Sequence, residues 1–175
     1  GGELKGNYLP NVDRYTIPFD SIPVFSKKAL MVYEFDAADV FKSYMYPAMA
    51  RSFRGAGMEW ATQFAYDPMA IAHVNTEYQT HYLNLAYTPS KAVSLLIASK
   101  VFHKVPRFKS YGSYPTDSVF DVFRVSYKEA LSEMNDGKEF YYSNSTSTKP
   151  SNLGTLQSVA GVGNSPIVKY EGSGA

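Results

Sequence analysis

The sequence predicts an α/β protein: two strand–helix units, then a small antiparallel β-rich region. Three observations carry that prediction. A short apolar run at residues 29–36 turns abruptly acidic; a proline-led apolar helix pattern follows Thr88; and from residue 107 the helical period gives way to short β-like runs separated by turn residues. Periodicity of this kind is the main sequence signal for secondary structure, and alternating strands and helices indicate a parallel sheet.

Residues 1–28 carry Pro10, Pro18 and Pro23, which argues against a continuous helix or a central strand, so a connecting loop is expected. Residues 29–36 (Ala-Leu-Met-Val-Tyr-Glu-Phe-Asp) follow Lys27-Lys28 and read as a buried parallel strand whose carboxyl end reaches the surface. Within 37–57 a helix is expected from about Tyr46, because Pro47 suits a first helical turn. Ala48, Met49, Ser52 and Phe53 then share one face, and Gly55 and Gly57 are candidate caps. A second strand is expected at 59–66, ended by Asp67-Pro68. Glu34 and Trp60 are 26 residues apart, about the span of a strand–helix–strand crossover.

After a polar and aromatic loop at 67–87, Thr88 is the expected N-cap and Pro89 the first helical residue. Ala92, Val93, Leu95, Leu96, Ala98, Val101, Phe102 and Val105 supply the apolar face, and Pro106 closes the helix. The region 29–106 is thus expected to form one unit and 107–175 another. In the latter, one strand is expected through Val119, Val122, Phe123 and Val125, a turn at Asn135-Asp136-Gly137, and a strand at 139–142. An exposed loop at 143–152, a turn at Gly161-Val162-Gly163 and a strand at 166–170 complete the expectation. Both ends read as cut from a longer protein.

Composition narrows the function classes. Seventeen basic and sixteen acidic residues leave a net charge of +1, with no basic stripe for tracking phosphates, so nucleic acid is not an expected partner. Cysteine is absent, which removes disulfides, thiolate metal sites and cysteine nucleophiles. No apolar stretch reaches the roughly 20 residues of a membrane span. His73, His81 and His103 lack metal-ligand spacing, and no phosphate-binding or dinucleotide glycine pattern occurs, so neither metal nor cofactor is expected. Asn144-Ser145-Thr146 fits a glycosylation acceptor. The marked bias is aromatic: fifteen Tyr, eleven Phe and one Trp. Tyr and Trp combine a flat apolar face with a polar edge, which suits sugar rings as well as cores.

Parallel α/β sheets bind ligands at the carboxyl ends of their strands, where Glu34 and Asp36 are expected to point the same way. Such acids either act on a ligand, or cap the following helix or bind a basic neighbour. The segment Met31-Val32-Tyr33-Glu34-Phe35-Asp36 resembles the seventh barrel strand of clan A retaining glycoside hydrolases, the cellulase-like family 5 among them, where that strand often ends in Glu-Phe-Gly. The helix through Ala48–Arg54, the Gly-Ala-Gly turn and the Trp60 strand are similar to the helix, turn and eighth strand of those enzymes. Asp36 stands where the family usually has Gly.

The resemblance implies the last strand–helix units of a (β/α)8 barrel over about 29–105, with a sandwich-like β domain after it. Glu34 is then the nucleophile and Trp60 an aromatic platform, with Tyr33, Asp36, Tyr66 and Glu77 around a carbohydrate substrate. Asn75, Glu77, Tyr78, Gln79 and His81 fall in the place of the last strand-to-helix loop. A secreted or periplasmic setting is implied as well. Retaining hydrolysis needs two carboxyl groups about 5–5.5 Å apart, and the acid/base of this clan lies on the fourth strand. It is therefore expected outside this chain, on the remainder of the barrel. Two other readings fit the aromatic bias: a non-catalytic carbohydrate-binding or cell-surface module, and a structural domain without a site of its own.

Overall fold

A computed structural model of the protein describes residues 5–37, 42–74, 83–114 and 118–165. The expected strand at 166–170, Glu77 and His81 lie outside those residues. The described chain has mixed α/β content. In order it forms β1 (Met31–Phe35), α1 (Met45–Gly55), β2 (Trp60–Gln63), α2 (Pro89–Lys104), β3 (Val119–Phe120), β4 (Phe123–Ser126), β5 (Leu131–Asn135), β6 (Glu139–Tyr142) and β7 (Ser158–Gly161). Among the described residues before β1 there are only short 3-10 turns, yet Leu9 from that stretch is buried in the core.

Strands β1 and β2 pair in parallel across the α1 crossover, with Met31 opposite Trp60, Val32 opposite Ala61 and Phe35 opposite Gln63. Hydrogen bonds from Glu59 N–H to Leu30 and from Phe64 N–H to Phe35 extend the ladder at both ends. The inner face of the pair meets α1: the Phe35 ring lies edge-on to Phe53 and Tyr46, with centroids 5.3 and 6.3 Å away. Burying one such ring contributes roughly 2–3 kcal/mol. Of the face expected for α1, Ala48 and Phe53 are buried, but so are Ala50 and Arg51, because the helix is covered on several sides. Arg51 lies beneath the rings of Tyr111, Tyr114 and Phe120 and donates to the Gly112 carbonyl.

The end of α1 depends on Gly57. Its φ of +88° lets its N–H reach the Arg54 carbonyl while Met58 N–H reaches Phe53, the paired bonds of a glycine C-cap. A β-carbon at Gly57 would stand 2.2 Å from the Phe108 ring, so glycine is required twice over. At the start of α2 Thr88 is the N-cap residue and Pro89 holds the first helical position, as expected, but the Thr88 side chain makes no capping bond. Its hydroxyl turns back to donate to the Asn84 carbonyl and accept from the Asn84 N–H. Ile97, absent from the expected apolar face, is fully buried.

Helix α2 lies between α1 and the second sheet, whose order is β3-β4-β5-β6-β7. Ser94 on α2 donates to the Ser43 carbonyl and meets Ser132 of β5, which bonds Ser143, so the buried joint is a chain of satisfied hydroxyls. Strand pairing is antiparallel from β3 to β6 and parallel between β6 and β7. The outer face carries Leu131, Phe140 and Tyr142, against which Leu156 packs.

Three expectations are corrected here. The run through Val119 and Val125 is two strands, because Asp121 takes φ +48° and turns the chain. The stretch 143–152 is not simply exposed: Thr146 is buried, and its hydroxyl and that of Thr148 donate to the buried Glu133. Gly161 ends β7 instead of forming a turn, since the Tyr142 ring fills the space where its side chain would stand. Among the described residues no helix is long and apolar enough to cross a membrane.

Candidate active site at the end of the first strand

Between Val32 and Phe35 strand β1 advances three residues while β2 advances two. The extra residue is a β-bulge, a device that re-aims side chains and recurs beside active sites. Tyr33 and Glu34 together face the position of Thr62, and both are exposed. After the bulge Glu34 stays outward, Phe35 turns into the core and Asp36 lies half-buried. Among the described residues no hydrogen bond or ion pair holds the Glu34 carboxylate.

The face of the pair turned away from α1 is open. Tyr33 is 80% exposed and Trp60 63%, and Met31 beside Trp60 is also exposed. Parallel sheets normally bury both faces, so an aromatic surface left bare on a parallel pair is unusual. The Trp60 indole N–H donates to Thr62 Oγ1 at 2.9 Å, which fixes the ring. Register places Trp60 level with Met31, at the amino end of the pair. At about 3.3 Å per residue that is roughly 7–10 Å along the strand from Glu34. The aromatic beside the carboxyl end is Phe64, whose N–H bonds the Phe35 carbonyl at 2.9 Å and whose ring is partly exposed. Sequence reasoning passed over Phe64; the alternation in Trp-Ala-Thr-Gln-Phe, counted from the strand start, was the available signal. Tyr66, exposed beyond it, forms an isolated parallel bridge with Leu83.

Asp36 has internal partners. One of its carboxylate oxygens accepts from the Ala37 N–H at 2.8 Å and from the Tyr46 hydroxyl at 2.9 Å. Burial, reinforced by this carboxylate, pushes the Tyr46 hydroxyl far above the ordinary phenol range, so it remains a donor. Burial lowers Lys91, in the first turn of α2, and the Asp36 charge opposes that shift. Asp36 thus links the end of β1 to the opening turns of both helices.

Other candidates are weaker. Among the described residues no group of acids and histidines could hold a metal. The Asn144 amide donates to the Glu129 carbonyl and Thr146 is buried, so the acceptor sequence Asn144-Ser145-Thr146 is engaged in the fold. An apolar cleft of ≈ 370 Å³ runs between β2 and α2, lined by Trp60, Ala61, Leu95 and Phe102. No protein-family model, curated protein or solved structure matches this chain.

Proposed function

We propose that this chain is the C-terminal strand–helix portion of a retaining (β/α)8-barrel glycoside hydrolase with an appended β domain, and that Glu34 is its nucleophile. The observation that carries the reading is the bulge, which turns an unpartnered carboxylate outward at the carboxyl end of a parallel strand on an open aromatic face. On this reading β1–α1–β2–α2 are the last two barrel units, and the bare face of β1 and β2 belongs to the barrel interior. Tyr33 and Phe64 contact the sugar nearest Glu34, with Tyr66 and Trp60 further away. The acid/base, about 5–5.5 Å from the nucleophile in a retaining enzyme, comes from the rest of the barrel. The test is Glu34→Gln in the full-length polypeptide, assayed on a panel of 4-nitrophenyl β-glycosides. Hydrolysis is expected to vanish while thermal unfolding is unchanged; retained turnover would end the assignment.

A second reading, a non-catalytic glycan-binding module, is favoured by the exposure of Tyr33 and Trp60. It expects glycan binding that survives Glu34→Gln and is lost in Tyr33→Ala or Trp60→Ala, with no turnover in the parent protein.

A further inference from the structure

The bulge that exposes Glu34 also frees it from the ladder, since Tyr33 and Glu34 share one opposing residue on β2. No described strand pairs with the other edge of β1. The Val32–Ala61 pair holds the chain before the bulge, and Phe35 and Asp36 hold it after Glu34. Both of these meet one side chain. The Tyr46 ring, 2% exposed, lies edge-on to Phe35, and its hydroxyl donates to Asp36. Asp36 is bound again by the Ala37 N–H, which closes the chain end on itself.

We infer that Asp36 and Tyr46 are positioning residues for Glu34, acting as one clamp that holds the bulged strand end against the start of α1. This rests on the reading of Glu34 as nucleophile, and it assigns to Asp36 a role other than touching sugar. The ring of Tyr46 sets where Phe35 sits, and its hydroxyl sets where Asp36 sits. Burial keeps that hydroxyl protonated, so it remains a donor to the Asp36 carboxylate.

Tyr46→Phe separates the two functions, keeping the ring and removing the bond. In the full-length polypeptide, on the same panel of 4-nitrophenyl β-glycosides, kcat is expected to fall about 10–100-fold, the scale of a misplacement near 1 Å, with KM within about threefold. Asp36→Ala should lose as much, and the double variant no more than either alone, because the two act as a unit. Asp36→Asn keeps an acceptor oxygen for both donors and should recover most of the loss. Amide hydrogen exchange at residues 33–36 gives a readout that needs no substrate and should quicken in Tyr46→Phe while α2 stays protected. Unchanged exchange at 33–36, additive losses in the double variant, or a rise in KM without a fall in kcat would each overturn the clamp. If Glu34→Gln retains turnover, the nucleophile reading falls and the clamp's catalytic meaning with it. If Glu34→Gln is inactive while Tyr46→Phe is fully active, only the clamp fails.

Discussion

The two sheets of this chain treat their polar groups and their faces in opposite ways. In the second sheet β5 is buried along almost its whole length, the acid on it is bonded by two threonine hydroxyls, and even the loop that leaves β6 turns back over the outer face. In the first, one face rests on α1 while the other presents Tyr33, Met31 and Trp60 to solvent, and the acid on it has no described partner. A buried carboxylate without partners costs several kcal/mol, so Glu133 must be satisfied. An exposed one costs nothing to leave alone, so Glu34 is available for chemistry. The contrast separates a part of the molecule built for stability from a part whose exposed groups need another reason.

Substitution breaks that comparison most forcefully at the two acids. On the proposed reading Glu34→Gln is expected to lower turnover of the full-length polypeptide by at least about 10³-fold, as loss of a nucleophile does, and to move stability by less than about 0.5 kcal/mol, as at exposed sites generally. Glu133→Ala should do the reverse. It leaves the Thr146 and Thr148 hydroxyls without their acceptor and leaves Arg124 paired with Glu129 alone, at a cost of about 2–4 kcal/mol in chemical denaturation. Equal stability effects in the two variants would erase the distinction.

The same contrast holds for aromatic residues. Phe123, 1% exposed and stacked on Phe120 with centroids 5.3 Å apart, should cost about 3–5 kcal/mol when truncated to alanine. Tyr33→Ala should cost almost nothing in stability and, on the proposed reading, lower only glycan affinity in a binding assay. Below these lies Gly161→Ala, whose new methyl carbon would stand 1.9 Å from the Tyr142 ring. Overpacking of this kind costs about 1–3 kcal/mol, and Tyr142→Phe would not relieve it, because the clash is with the ring.

These sites also mark what the sequence could and could not disclose. Pro47, Gly57 and Pro89 act through local sterics and Lys27-Lys28 mark the polar boundary of an apolar run, so β1, α1 and the start of α2 are legible with nearly correct bounds. The bulge is not, because it is a relation between β1 and β2 and leaves no mark in either alone. Thr88 looks like a cap by type, yet its hydroxyl is taken by Asn84, a choice made by the fold of the preceding loop. Strand β5, Leu-Ser-Glu-Met-Asn, lacks alternation because both of its faces are covered, and its Ser and Glu are paired by residues distant in sequence. At the site, Glu34 and Asp36 are visible as acids at a strand end, but that Glu34 is exposed while Asp36 is bonded to Tyr46 depends on the bulge before Phe35 and on the place of α1.

The smallest expected effect concerns an acid that belongs wholly to the stable region. Burial alone would raise Asp136, but the Lys104 ammonium at 2.8 Å and the N–H groups of Glu139 and Lys138 outweigh it and hold the carboxyl at about 2. The folded value lies below the ordinary 3.8, so the carboxylate contributes stability that is present above pH 4 and lost as pH falls from about 4 to 2. Lys104 is partly exposed, and screening leaves about 1 kcal/mol of that contribution. Asp136→Asn should therefore unfold more easily than the parent near pH 6, and the gap should close as pH approaches 2. A pH-independent gap in Asp136→Asn would mean that the amide disturbs the turn itself and that the Lys104 pair contributes little.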